Sequence, residues 1–217
     1  MSSMQKRNLT SVDRLIVGLD GAIRGIAAAR QPATRPNPAS GVHENPLTRK
    51  EVEHSAGLMR VNHAGEVAAQ GLYQGHAAVA RDERIEHQMR EAANEELDHL
   101  GWCEERLAEL GSRPSRLSPI WYAGAFAIGA ASGVLGDKWS LGFIEETENQ
   151  VSEHLSGHLK KLPASDQRSR AIVRQMRDEE EEHGAMAKRA GSVPLPQPIR
   201  QLMRFSAGVM TRSAYWF

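Results

Sequence analysis

The strongest constraint on this chain is a Glu-x-x-His motif that occurs twice, each time within a long helical pattern of polar and apolar residues. The two copies are Glu96-Leu-Asp-His99 and Glu180-Glu-Glu-His183. In an α-helix, three residues turn the chain by about 300° and advance it by about 4.5 Å. The carboxylate and the imidazole of each motif therefore leave the same helix face and can bind the same metal ion. Such a mixture of oxygen and nitrogen ligands suits iron or manganese.

Each copy of the motif follows a glutamate that lies about 30 residues earlier, on another helical segment. Glu66 precedes Glu96 by 30 residues, and Glu148 precedes Glu180 by 32 residues. A glutamate from each of two helices, with Glu-x-x-His from each of two others, is the ligand set of carboxylate-bridged two-metal sites in four-helix bundles. The sequence therefore predicts an all-α, ferritin-like four-helix bundle with this site at its centre.

Three further residues fit the spacing of the predicted ligands and remain alternatives: His63, Glu145 and Glu179. We prefer Glu148 to Glu145 because its distance from the second motif best copies the spacing in the first half of the chain. His154, on the same predicted helix, is expected either to hydrogen-bond near the site or the substrate, or to be solvated. Cys103 is expected to be a packing residue rather than a ligand.

The hydrophobic pattern divides the chain into three parts. Residues 1–30 contain an amphipathic helix, residues 31–47 form a proline-rich linker, and residues 48–217 form the ferritin-like domain. The four bundle helices are predicted at about 48–81, 83–110, 139–162 and 165–190, with Thr48 and Ser165 as N-caps. A last helix, at about 199–216, is basic and ends in aromatic residues. Like the N-terminal helix, it suits either docking on the bundle or lying on an anionic membrane surface.

A stretch of 20 residues without a charged side chain, residues 117–136, connects the second and third bundle helices. Its length would allow a membrane span, but its glycines and alanines lower the hydrophobicity per residue. We expect a buried helix or one that dips into the membrane interface. A true span and a loop-rich crossover are the alternatives. A long crossover at this position is also what the ferritin-like topology requires.

The composition excludes several classes of protein. The 217 residues suit one domain with extra segments, and Lys and Arg balance Asp and Glu at 27 each. The total charge therefore indicates neither a nucleic-acid partner nor an acidic tail. The single cysteine cannot form an internal disulfide bond, and the N-terminus shows no secretory signal. We expect a reducing, cytoplasmic environment.

Several motifs together resemble one known family. They are Asn62-His-Ala-Gly-Glu66, Glu96-Leu-Asp-His99, Trp121 through Gly136, and Asp178-Glu-Glu-Glu-Glu-His183. From about residue 58 to the C-terminus, the chain is similar to the demethoxyubiquinone hydroxylases of coenzyme Q biosynthesis. The bacterial members of that family are named 2-polyprenyl-3-methyl-6-methoxy-1,4-benzoquinone monooxygenases.

The resemblance implies a di-iron site whose six ligands are Glu66, Glu96, His99, Glu148, Glu180 and His183, with Glu96 and Glu180 bridging the two irons. It implies a monooxygenase that uses O2 to hydroxylate the ring of a 2-polyprenyl-3-methyl-6-methoxy-1,4-benzoquinol in ubiquinone biosynthesis. The electrons would come from a nicotinamide cofactor such as NADH, or from the quinol itself. The sequence has no glycine-rich dinucleotide-binding turn.

The same resemblance implies partners and a location. The partners would be the polyprenylated quinol, the membrane surface and other ubiquinone-biosynthesis proteins, and a homo-oligomer is left open. The protein would lie peripherally on the cytoplasmic side of the cell membrane. Two other functions remain as alternatives: a ferritin-like protein that oxidises or stores iron, and a non-enzymatic helical membrane adaptor.

Overall fold

The computed structural model describes residues 33–80 and 82–217, and the regular elements in these residues are six α-helices. They are α1 (Arg49–Val79), α2 (Glu83–Glu109), α3 (Ser118–Val134), α4 (Asp137–Lys161), α5 (Gln167–Arg189) and α6 (Gln197–Trp216). The described residues form no strand, so the prediction of an all-α, ferritin-like fold is confirmed. The predicted N-terminal helix lies outside the described residues. The division of the chain at residues 30 and 47 stays a prediction.

Side-chain caps explain where two of the bundle helices begin. At the start of α1, the Thr48 N–H donates to Glu51 Oε2 at 2.7 Å, and Thr48 Oγ1 accepts the Glu51 N–H at 3.3 Å. This is the predicted capping box. The prediction of Ser165 as the cap of α5 was wrong, because Asp166 holds that position. Asp166 also forms an ion pair with the buried side chain of Arg106 at 2.8 Å, and this long-range contact favours it over the serine.

Helices α1, α2, α4 and α5 enclose a core that consists mainly of two apolar clusters. The first cluster includes Met59, Trp102, Leu107, Leu155 and Met176. The second includes Tyr73, Met89, Ile144 and Ala187. On each of the four helices, the predicted metal ligands lie between the residues of one cluster and those of the other. The ligands therefore form a polar layer with apolar side chains on both sides.

Helix α3 packs against α1 through glycines. Gly71 and Gly75 of α1 face backbone carbonyl oxygens of α3, and Gly129 of α3 faces one of α1. A Cβ atom at any of these positions would collide with the opposite helix. The uncharged stretch thus forms a helix that is packed on the bundle and buried along one face only, and the alternative of a loop-rich crossover was wrong. Among the described residues, none of the helices combines the length and the apolar character that crossing a membrane requires.

The described part of the proline-rich segment, residues 33–47, contains no helix or strand but packs against the bundle. The side chain of Ala39 is only 1 % exposed. Glu44 forms an ion pair with Arg106 of α2 at 2.9 Å, and Arg35 contacts both α2 and α5. This segment therefore covers one side of the bundle, next to the polar layer.

Candidate metal centre

The structure brings all six predicted metal ligands together in the polar layer of the bundle. They are Glu66 from α1, Glu96 and His99 from α2, Glu148 from α4, and Glu180 and His183 from α5. None of these residues is more than 5 % exposed. Glutamate is rarely buried to this extent unless it is paired or bound to a metal ion. The layer thus concentrates carboxylate and imidazole groups where water is largely excluded.

The six side chains form two groups that share a member. Glu66, Glu96, His99 and Glu180 make up the first group, and Glu148, Glu180 and His183 the second. Within each group, the potential ligand atoms lie within 4.8 Å of one another. Glu96 also reaches the second group, because its Oε1 atom lies 3.4 Å from His183 Nδ1. Glu96 and Glu180 therefore occupy the central positions that bridging carboxylates require.

His99 presents one ring nitrogen to the centre and the other to a glutamate outside it. Its Nδ1 atom lies 3.0 Å from Glu96 Oε2 and 3.2 Å from Glu180 Oε1. Its Nε2 atom lies 2.6 Å from Glu179 Oε2. When the proton is on Nε2 and is donated to Glu179, the lone pair on Nδ1 is free to bind a metal ion.

His183 has the same arrangement in the other half of the centre. Its Nδ1 atom lies 3.2 Å from Glu180 Oε2, and its Nε2 atom lies 2.6 Å from Glu95 Oε2. Glu95 directly precedes Glu96, just as Glu179 directly precedes Glu180. Each histidine is therefore oriented by the glutamate that comes before the central glutamate of the opposite helix.

Tyr73 of α1 supports Glu148 of α4. The tyrosine hydroxyl donates a hydrogen bond to Glu148 Oε1 at 2.6 Å, and both side chains are buried. Burial, together with the nearby negative charge of Glu148, raises the pKa of Tyr73 well above its usual value. Tyr73 therefore remains a hydrogen-bond donor at neutral pH.

The charges in the centre strongly perturb one another. Burial and the neighbouring carboxylates raise the pKa of Glu66 and of Glu148 well above their usual range. Burial also disfavours the charged forms of Glu96 and Glu180, but the two histidines outweigh it and lower the pKa of both. Burial alone would lower the pKa of His183, whereas its contacts with the carboxylates of Glu180 and Glu96 raise it to about 12. The four carboxylates outnumber the two imidazoles, so cations would relieve their mutual repulsion.

The residues of the centre fit two iron ions. Glu96 Oε1 and Glu180 Oε1 are buried, and each lies 3.2–3.4 Å from a histidine Nδ1 atom but has no well-aligned hydrogen bond among the described residues. A buried carboxylate oxygen without such a bond is unfavourable unless a cation binds it. Four carboxylates would neutralise the four positive charges of two ferrous ions, and two neutral imidazoles would complete a ligand set that suits iron.

Two of the alternative ligands have other contacts in the structure. His63 is buried, with its Nε2 atom 3.4 Å from Glu104 Oε1. Glu145 accepts a hydrogen bond from the hydroxyl of Ser192. Among the described residues, neither side chain belongs to the two groups of potential ligands. The geometry thus favours Glu148 over Glu145.

His154 and Cys103 also lie apart from the two groups. The ring of His154 packs against that of His158, with the two centroids 4.0 Å apart. Cys103 is fully buried in the first apolar cluster, as a packing residue would be. Among the described residues, neither His154 nor Cys103 therefore belongs to the two groups of potential ligands.

The sequence analysis did not recognise Tyr73, Glu95 and Glu179 as supports of the centre. Tyr73 lies at a helical position that a core residue would also occupy. The side chain of Glu95 is 52 % exposed and belongs to a run of charges, which usually indicates a solvated face. The sequence did contain one signal for the two glutamates: a Glu-Glu pair stands at the same spacing before each histidine, Glu95-Glu96 before His99 and Glu179-Glu180 before His183.

The fold and the site together define a ferritin-like helical bundle with a buried carboxylate–histidine centre built from two similar halves. Comparison with known proteins identifies the family. The model of the COQ7 family, described as ubiquinone biosynthesis protein COQ7, matches residues 53–214. This chain belongs to the COQ7 family.

Similar proteins in several bacteria are named 3-demethoxyubiquinol 3-hydroxylase. The relative in Ralstonia pickettii (strain 12J) is 55 % identical over 215 residues, which cover 94 % of this chain and 99 % of the relative. The relative in Nitrosomonas eutropha is 52 % identical over 208 residues, which cover 96 % of this chain and 100 % of the relative. The relative in Cupriavidus pinatubonensis is 56 % identical over 206 residues, which cover 94 % of this chain and 99 % of the relative.

Proposed function

We propose that this chain is a 3-demethoxyubiquinol 3-hydroxylase. In this role it is a di-iron monooxygenase that uses O2 to hydroxylate the ring of a 2-polyprenyl-3-methyl-6-methoxy-1,4-benzoquinol in ubiquinone biosynthesis. The observation that carries the proposal is the convergence of four carboxylates and two imidazoles in one buried layer. Membership of the COQ7 family and the names of the relatives support the choice of substrate.

One iron would be held by Glu66, Glu96, His99 and Glu180, and the other by Glu96, Glu148, Glu180 and His183. When bound, the two irons would supply the two-electron activation of O2. One oxygen atom replaces a ring hydrogen of the quinol as a hydroxyl group. The other oxygen atom leaves as water after the uptake of two electrons and two protons. NADH or the quinol itself would supply the electrons.

The residues of the chain orient the ligands and exclude water. Glu179 and Glu95 would accept hydrogen bonds from the Nε2–H groups of His99 and His183, which leaves both Nδ1 atoms facing the centre. Tyr73 holds one oxygen of Glu148 by a hydrogen bond. The apolar clusters on either side of the layer limit the access of water, which strengthens the electrostatic interactions inside it.

The exposed faces of α3 and α6 support a peripheral location at the membrane. Large apolar side chains project from them: Ile120, Ile128, Leu202, Phe205, Val209 and Trp216. A polyprenylated quinol partitions into the lipid bilayer, so an enzyme that acts on it must reach the membrane surface. Exposed apolar residues on amphipathic helices are a common means of doing so. We assign the protein to the cytoplasmic side of the cell membrane.

A basic cavity beside the C-terminal aromatic residues supports the same location. The cavity has a volume of about 490 Å³, and its lining includes Arg60, Arg113, Arg116 and Trp216. Within the described part of the chain, these arginines form no ion pair with a carboxylate; Arg60 donates instead to two backbone carbonyl oxygens and a serine hydroxyl. Cations next to an interfacial aromatic residue favour contact with anionic lipid headgroups.

Reconstitution with iron tests the proposed activity. Purified protein is loaded anaerobically with two equivalents of ferrous iron, and a demethoxyquinol in detergent, a reductant and ¹⁸O2 are added. We expect the hydroxylated quinol to carry one ¹⁸O atom, as measured by mass spectrometry. Glu180→Ala should abolish the product because it removes a ligand shared by both irons. Glu182→Ala, which changes an exposed glutamate two residues away, is the matched control and should retain activity.

The other outcomes of this experiment each contradict the proposal. Formation of a ferric mineral with no change in the quinol would indicate an iron-storage protein. Failure to retain two equivalents of iron would indicate that the buried glutamates do not form a metal site. Equal product from Glu180→Ala and the unsubstituted protein would remove Glu180 from the catalytic centre.

A further inference from the structure

Arg35 connects the proline-rich segment to both of the helices that carry a Glu-x-x-His motif. Its Nε atom donates to Asp98 Oδ2 at 2.6 Å. Its Nη1 and Nη2 atoms donate to the two carboxylate oxygens of Glu179 at 2.8 and 3.0 Å. Asp98 belongs to α2 and Glu179 to α5, so one guanidinium group links the two helices from outside the bundle.

Further contacts hold Arg35 in place. Asp98 Oδ1 accepts hydrogen bonds from the backbone N–H groups of Thr34 and Arg35, at 2.6 and 3.2 Å. The guanidinium carbon lies 4.8 Å from the centroid of the Trp102 ring, within the range of a cation–π contact. The indole N–H of Trp102 donates to the Arg35 carbonyl oxygen at 3.4 Å. The arginine is therefore held through its backbone as well as its side chain.

The arginine is one contact away from a predicted metal ligand. The Glu179 oxygen that accepts from Arg35 Nη2 also lies 2.6 Å from His99 Nε2. Asp98 directly precedes His99 in α2, and the rings of Trp102 and His99 lie 5.4 Å apart. Arg35 thus fixes the carboxylate that orients His99, together with two neighbours of His99 on the same helix.

Among the described residues, the equivalent glutamate in the other half of the centre has no such support. Glu95 lies 2.6 Å from His183 Nε2, but its side chain is 52 % exposed, whereas that of Glu179 is 18 % exposed. No arginine or lysine among the described residues forms an ion pair with Glu95. The two halves therefore share the histidine–glutamate contact and differ in what holds the glutamate.

We infer that Arg35 is a positioning residue, which fixes the Glu179–His99 pair and makes the metal site on the His99 side bind more tightly than the site on the His183 side. This inference rests on the proposed di-metal centre. A bidentate arginine–carboxylate pair has a fixed geometry, so it restricts the rotation of the glutamate. Groups that orient a ligating histidine typically change metal affinity by about 10- to 100-fold when they are removed.

Single-site proteins allow each half of the centre to be measured by itself. Glu148→Ala leaves the His99 side, and Glu66→Ala leaves the His183 side. Arg35→Gln is added to each of them, and the metal-free proteins are titrated with Co²⁺ under nitrogen. The absorption bands of bound Co²⁺ report both the affinity and the coordination geometry. We expect Arg35→Gln to weaken binding about 10- to 100-fold on the His99 side and to leave the His183 side unchanged.

Two control variants separate positioning from a general loss of stability. Arg49→Gln removes an exposed arginine whose ion pair with Glu53 is on the outer face of α1, and should change neither site. Arg35→Lys retains the charge without the bidentate geometry and should restore only part of the affinity. Equal weakening of both sites by Arg35→Gln, or no weakening of either, would overturn the inference.

The titration also distinguishes failure of this inference from failure of the proposed function. If the unsubstituted protein binds two Co²⁺ ions and Arg35→Gln has the same two affinities, the di-metal centre stands and the role of Arg35 is refuted. If the unsubstituted protein binds no Co²⁺, the proposed centre itself is refuted, and the inference is refuted with it.

Discussion

The hydroxyl of Tyr73 donates a hydrogen bond of 2.6 Å to Glu148 Oε1, and this contact joins α1 to α4 inside the polar layer. Glu148 is the predicted ligand whose carboxylate belongs to the second group alone. A hydrogen bond to one of its oxygens restricts the carboxylate to orientations in which the other oxygen can face the centre. We therefore expect Tyr73 to influence how Glu148 binds a metal ion without itself being a ligand.

Replacing Tyr73 with phenylalanine removes only this hydroxyl. We expect Tyr73→Phe to lower quinol hydroxylation by about 10- to 100-fold, the range typical for groups that orient ligands. The measurement is the initial rate of product formation in iron-loaded protein, together with the iron content after gel filtration. The nearby Tyr122→Phe is the control, because the Tyr122 hydroxyl donates to Gln74 rather than to a ligand. Equal losses in both variants would contradict a specific role for Tyr73.

Glu148 and Glu145 can be distinguished by metal content. Glu148→Ala should reduce the bound iron from two ions to one per chain, because it removes a ligand of the second group. Glu145→Ala removes a hydrogen bond with Ser192 and should retain both ions. Iron is counted after reconstitution and removal of the excess metal. If Glu145→Ala loses an ion and Glu148→Ala does not, Glu145 rather than Glu148 is the ligand that α4 supplies.

The convergence of the six predicted ligands could be expected from the sequence because its signal is local. A carboxylate and an imidazole three residues apart share a helix face whatever the rest of the chain does. On α5, Ile172, Met176 and Ala187 extend the same face as Glu180 and His183, and all five side chains are buried. The lengths of the helices and the capping box at Thr48 were likewise encoded by neighbouring residues.

Contacts that join distant parts of the chain left no comparable signal. Arg35 lies in a segment without helical or strand periodicity, so nothing near it indicates that it reaches Glu179, 144 residues later. Asp166 caps α5 in place of Ser165, in a position where it also meets Arg106 across the fold. The glycine contacts between α1 and α3 depend on how two helices approach, which a pattern within one helix does not determine.

The close approach of α1 and α3 predicts a specific effect on stability. A Cβ atom on Gly129 would overlap the carbonyl oxygen of Leu72, so Gly129→Ala must push the two helices apart. We expect it to lower the free energy of unfolding by about 1–3 kcal/mol, the usual effect of overpacking. The measurement is urea unfolding of the metal-free protein.

Gly124→Ala on the same helix is the matched control for this experiment. Apart from the adjoining backbone of its own helix, no atom of the described residues lies within 4 Å of the position that a Cβ on Gly124 would take. Alanine favours a helix over glycine by about 0.5–1 kcal/mol, so this variant should be slightly more stable. Equal effects of the two substitutions would show that helix propensity, rather than the contact between α1 and α3, determines the result.

The apolar face of α6 predicts how the protein binds membranes. Leu202 and Phe205 are 63 % and 69 % exposed and lie three residues apart on one face. Burying each in lipid would contribute about 1.5–3 kcal/mol, so the double variant Leu202→Ser/Phe205→Ser should bind vesicles at least about tenfold more weakly. Co-sedimentation with vesicles of phosphatidylcholine and phosphatidylglycerol measures this binding. Met186→Ser, at an exposed apolar position of α5, should bind as the unsubstituted protein does. Unchanged binding of the double variant would exclude this face.

His158 predicts how the stability of the metal-free protein depends on pH. Its side chain is 3 % exposed, and burial, followed by the nearby His154 and Lys161, lowers its pKa to about 2. An unfolded histidine has a pKa of about 6.5. Above that pH both states are neutral and the histidine has no effect on stability. As the pH falls below 6.5, only the unfolded state binds the proton, so stability decreases. The contribution of His158 to this loss is about 2 kcal/mol between pH 7.5 and pH 5.

Comparing two histidine variants isolates this contribution. His158→Gln removes the titrating group, so the difference in the free energy of unfolding between pH 7.5 and pH 5 should shrink by about 2 kcal/mol. Urea unfolding in the presence of a chelator at each pH measures that difference. His87→Gln changes a histidine whose side chain is 73 % exposed and should leave the pH dependence as it is. If His158→Gln also leaves it unchanged, the buried imidazole becomes protonated in the folded state as easily as in the unfolded state. The burial of His158 would then not be the cause of acid sensitivity in this fold.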